Sequence, residues 1–161
     1  MVRLGAERDE GLRLAALTHD IERHFPGGPE IDLEAPPDDR RYRDAHQRRS
    51  ADIVAEWLEG EGADPELVRD VRDLVLVHEW GGGSRENLLQ AADSLSFLEL
   101  NWAIVASWVE RGACSKERGA AQLAWMLDRI QVAAARAEAQ PLYADALARL
   151  CAGDPPATGR Q

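Results

Sequence analysis

The sequence predicts an all-α, helical bundle of about six helices. Three observations carry that expectation. Apolar residues recur at spacings of three, four and seven along most of the chain. Asp or Ser opens these runs and Gly or Pro closes them. No stretch alternates apolar and polar residues with the period of two that a half-buried strand needs.

The elements follow in order. A first helix is read from about Asp9 to Arg23, with Leu12, Ala16 and Ile21 near helical spacing, until FPGGP (Phe25 to Pro29) stops it. From there to Arg40 the chain is rich in Pro, Asp and Glu without a period. That composition predicts a long loop, and such loops often serve as functional lids. A second helix spans about Arg41 to Glu61, with Ile53, Val54, Trp57 and Leu58 as its apolar stripe. Asp64 and Pro65 form a cap and first turn for a third, which runs through Leu67, Val71 and Leu74 to Glu79 and ends at Gly81 to Gly83. Ser84 caps a fourth that runs unbroken to Arg111, and Ser115 a fifth over about Lys116 to Ala139. Pro141 starts a short sixth ending near Cys151. The expected domain is 1–152, with 153–161 as a disordered tail.

Bulk properties narrow the function classes. A formal charge of −10 over 161 residues argues against a nucleic-acid polymer or an anionic membrane as partner. No run of about 18 apolar residues exists. Arg3, Glu7, Arg8, Asp9 and Glu10 interrupt any signal-peptide core. Cys114 and Cys151 are isolated, as expected of a chain in the reducing cytoplasm.

The chain has only four histidines: His19, His24, His46 and His78. The adjacent pair His19-Asp20 says little alone, since this composition yields roughly 0.35 His-Asp pairs by chance. Its neighbours say more. His46 shares a helical face with Ile53 and Trp57, and His78 follows Leu67, Val71 and Leu74 or Val75. Asp93 lies between Leu89 and Phe97 on the fourth helix. Four helices therefore each aim an imidazole or a carboxylate inward, and buried ionisable groups are ordinarily paired or metal-bound. His24, beside the FPGG stop, reads as a helix-end cap.

The segments LAALTHDIERHF, AHQRRSADIVAEWLEGEG, VRDLVLVHEWGG and LLQAADSLSFLELN resemble the HD-domain metal-dependent phosphohydrolase superfamily over about Leu12 to Trp108. The resemblance implies an all-α fold and metal ligands His19, Asp20, His46, His78 and Asp93, with Asp20 bridging when two metals bind. It implies one or two divalent ions (Fe, Mn, Co, Ni, Zn or Mg), and a small phosphorylated substrate hydrolysed by water that the metal activates. On that reading Arg23 and Arg43 are substrate-binding cations, with Arg49 as a further choice, and Asp20 and Glu79 take catalytic roles, Glu79 as a proton shuttle. Tyr42 and Trp80 either stack a nucleobase or pack. The family's first histidine precedes the dyad helix, and no histidine here precedes His19. Either the full protein carries another helix upstream, which VRLGAERDEGLRLAA favours, or this chain lacks that ligand. Two alternatives stand beside the hydrolase: a di-iron oxygenase of the same fold, and a non-catalytic helical binding module with a partial metal site.

Overall fold

Asp9 starts the first helix as its side chain predicts. Its Oδ1 accepts from the Leu12 amide at 2.9 Å and caps α1, Glu10–Thr18. The computed structural model describes residues 8–153, and every regular element among them is helical. A 3-10 turn, Ile21–His24, follows α1, and residues 25–39 carry no regular element. Then come α2, Arg40–Gly60, α3, Pro65–Leu76, and α4, Ser84–Ser96. A π turn, Phe97–Asn101, leads directly into α5, Trp102–Glu110. The last two are α6, Lys116–Asp128, and α7, Ala133–Ala152. With α4, the π turn and α5 taken as one interrupted rod, six helices fill the described residues. Of the expected tail, 154–161 lies outside the described residues.

Two compact units divide the chain. The first takes 8–31 and Asp39–Ala92; the second takes Asp32–Asp38 and 93–153. In the first, α3 packs against both α1 and α2, and the 3-10 turn lies on α2. Leu12 and Ala15 of α1 meet Ala51, Val54 and Leu58 of α2, Val68, Val71, Leu74 and Val75 of α3, and Leu89 of α4. Each such buried Leu or Val is worth about 1.5–3 kcal/mol relative to exposure. Arg85 clamps the edge of this core: its Nε donates to Asp9 Oδ2 at 2.8 Å and its Nη1 to Asp70 Oδ1 at 2.6 Å. In the second unit α6 packs on α5 and α7, and Gly119 lets them close, since a Cβ there would stand 3.0 Å from Val109.

Four details depart from the periodicity reading. The buried face of α2 runs through His46, Ser50, Val54 and Leu58, while Trp57 is 48% exposed and Ile53 only partly covered. The third helix stops at Leu76, so His78 stands in the turn beyond it rather than on its face. The fourth helix is broken by the π turn, which buries Leu98 and leaves Leu100 exposed. Lastly, the expected fifth helix is interrupted at 129–132, and Pro141 lies inside α7 instead of starting a helix. Burial of Ala135, Ala139, Ala146 and Leu150 along one side of α7 overrides the proline's preference for a first turn.

Candidate metal centre

Three imidazoles and one carboxylate meet in the first unit, and each is set by its place on a helix. His19 is the C-cap of α1 and His78 lies two residues past α3, where the last backbone carbonyls fall outside the regular i to i+4 ladder. Each ring uses one of them. His19 Nδ1 donates to Ala16 O at 3.0 Å, and His78 Nδ1 to Val75 O at 2.7 Å. A carbonyl can only accept, so each ring carries a hydrogen on Nδ1, and in the neutral imidazole Nε2 then carries the lone pair. His46 is in mid-helix, and its Nδ1 donates instead to Glu22 Oε1 at 2.9 Å. The outcome is the same tautomer.

The rings gather edge to face. His78 lies with its centroid 5.1 Å from that of His19 and 5.3 Å from that of His46. Asp20 Oδ1 stands 2.9 Å from His46 Nε2 and 3.9 Å from His19 Nε2. The shorter approach is decisive. His46 Nε2 is buried and makes no aligned hydrogen bond, and with the ring hydrogen on Nδ1 the neutral imidazole presents a lone pair there. Two acceptor atoms at that distance repel unless a cation neutralises them, and ligand atoms around one divalent ion stand about 3 Å apart. Asp20, His46 and His78 each offer a ligand atom within 4.8 Å of one another. Their N/O donor set, two imidazoles and a carboxylate with no thiolate, fits the first-row divalent metals better than Mg²⁺, which prefers oxygen ligands. His46 and His78 are fully buried, whereas Asp20 is half-exposed and faces solvent.

The remaining expected site residues fall as follows. Arg23 Nε lies 3.0 Å from Asp20 Oδ2, and its Nη1 donates to the Tyr42 hydroxyl at 3.2 Å. Burial disfavours the Arg23 charge, but the Asp20 and Tyr42 fields outweigh it and raise its pKa, so it is always a cation. Burial likewise raises the Tyr42 phenol, against the pull of Arg23. The Tyr42 ring lies parallel to that of His46, with the centroids 6.0 Å apart. Arg43 and Glu79 are both buried and bound to each other, Nη1 to Oε1 at 2.8 Å, with Glu79 Oε1 4.0 Å from His78 Nε2. Arg49 reaches the turn after the dyad, donating from Nη2 to Pro26 O at 2.7 Å. His24 is exposed at the end of the 3-10 turn. Asp93 belongs to the second unit, where Arg129 donates to its Oδ2 and also to Ser94 Oγ, while stacking over Trp125.

Glu22 is the residue that the sequence reading missed. It is a buried acid two positions after Asp20, and its one sequence signal is a carboxylate in a run that otherwise looks like the end of an apolar helix. No protein-family model, no curated protein and no solved structure matches this chain.

Proposed function

We propose that the chain is a metal-dependent phosphohydrolase of the HD-domain type, acting on a nucleotide or another small phosphate ester. The observation that supports it most is the 2.9 Å approach of Asp20 Oδ1 to the lone-pair Nε2 of His46, with His78 and His19 beside it. Asp20, His46 and His78 would hold the metal, with His19 within reach of a second. When bound, the metal supplies Lewis acidity and a water acidic enough to attack phosphorus. The chain's own groups do the rest. Arg23 holds Asp20 through Oδ2, which leaves Oδ1 toward the imidazoles, and the guanidinium beside Asp20 is a cation for a phosphoryl oxygen. Arg43 is committed to Glu79 and acts on substrate only through that pair. Glu79 Oε1, facing His78, offers a carboxylate for a proton released at the site.

Purification without chelator, followed by elemental analysis and chromogenic phosphomonoester and phosphodiester assays, tests the reading. Near-stoichiometric metal and metal-dependent hydrolysis, both lost in Asp20→Ala, are expected. A folded wild type that takes up no divalent ion and turns over neither ester overturns it, and leaves a helical binding module. Two imidazoles and one carboxylate are also the ligand set of non-haem iron oxygenases. That second reading requires iron-dependent visible absorption and oxygen uptake in place of phosphate-ester hydrolysis.

A further inference from the structure

We propose that Glu22 is a positioning residue for this metal centre: its Oε1 takes the Nδ1 hydrogen of His46 and so holds Nε2 as the ligating nitrogen. The inference rests on the metal-centre reading above and adds to it a residue outside the ligand set. The need arises from helix geometry. His19 and His78 stand at helix ends and find carbonyls outside the regular i to i+4 ladder; His46 sits in the interior of α2, where the backbone carbonyls are already used by the helix. Only a side chain from another element can fix its tautomer. Glu22 supplies it across 24 residues of sequence.

The surroundings hold that carboxylate in place. A buried carboxylate is costly unless it is compensated. Glu22 Oε2 has Arg49 Nε at 3.7 Å, and the same guanidinium donates to Pro26 O, fixing the turn that follows. That turn closes over Glu22: a Cβ at Gly28 would stand 2.2 Å from Oε2. The Gly28 φ is one that any residue can adopt, so the glycine is needed here for space and not for conformation. Glu22, Arg49 and Gly28 thus form a cradle whose one product is the orientation of His46. Outer carboxylates of this kind orient a ligating imidazole and raise its basicity, and losing one ordinarily weakens metal binding 10–100-fold.

The full chain, metal-free, provides two readouts: zinc affinity by calorimetry, and the His46 tautomer by long-range ¹H–¹⁵N correlation above the imidazole titration range. Wild type should carry the His46 hydrogen on Nδ1. Glu22→Ala should weaken zinc binding by about 10–100-fold and mix the tautomers. Glu22→Gln, whose amide oxygen still accepts, should restore most of both. Gly28→Ala, which touches no ligand, should displace Oε2 and give an intermediate loss, and it serves as the test if Glu22→Ala does not fold. Wild-type zinc affinity in both Glu22→Ala and Gly28→Ala, or a His46 hydrogen on Nε2 in wild type, overturns the inference. Wild type that binds no zinc defeats the metal-centre reading instead, and the tautomer arm still decides what Glu22 does.

Discussion

Glu79 shows how a residue can be legible in type and hidden in role. Its place directly after His78 marks it as part of the site, and Arg43, three residues before His46, is marked by spacing in the same way. That they bind each other is written nowhere in the sequence, because 36 positions separate them and only the meeting of α2 with the turn after α3 joins them. The pair is buried on both sides. Removing one partner takes an ionic hydrogen bond from a buried charge, which costs up to about 3–5 kcal/mol, whereas replacing both by apolar groups is far milder. Glu79→Ala should therefore lower the unfolding free energy by up to about 3–5 kcal/mol, and the added change Arg43→Met should recover much of it. Urea denaturation of both variants checks this. A Glu79→Ala chain as stable as wild type would mean that the remaining contacts of Arg43 compensate its charge.

Among elements, the sequence is readable wherever one local rule decides and silent where two compete. Asp9, Asp64 and Ser115 all cap the helices they were expected to open. The α2 stripe was right for Val54 and Leu58, which are buried, and wrong for Ile53 and Trp57, because the buried face turns toward the polar His46 and Ser50 instead. Pro141 misled for a related reason: packing of α7 settled what propensity alone would have placed differently. Asp9 carries an electrostatic duty besides its cap. Hydrogen bonds from Arg85 hold its carboxyl below the ordinary range, burial opposes them, and the Leu12 amide adds to the lowering. A carboxyl lowered in the folded state stabilises it above the unfolded value of about 4, and that contribution fades as pH falls through the folded value. Asn caps as well as Asp, so Asp9→Asn isolates the ionic part. It should cost roughly 0.5–1 kcal/mol at neutral pH, after allowance for solvent screening at this half-exposed pair, and nothing once the medium is acid enough to protonate Asp9. Urea midpoints measured from pH 7 downward give the test, and a deficit that persists unchanged in acid would assign it to the cap.

For the whole molecule, the acidic balance and the all-helical architecture were open to inspection, while the site was legible only as a set of residue types. His19, Asp20, His46 and His78 could be picked out by burial logic; the tautomers, the Glu22 cradle and the Arg129 pairing of Asp93 depend on contacts between distant segments. On the proposed reading, a metal held there would also stabilise the fold. A ligand that binds the folded chain and not the unfolded one stabilises it by about 2.7 kcal/mol at a hundredfold excess over Kd. For a chain of this length each kcal/mol moves the midpoint by about 2–4 °C, so metal addition should raise Tm by about 5–10 °C, and chelator should reverse it. The shift must vanish in Asp20→Ala and in His46→Ala. It should survive in Arg72→Ala, whose surface pair with Asp52 is part of no ligand set. An equal metal-induced rise in Asp20→Ala and His46→Ala would place the bound ion elsewhere on this acidic chain.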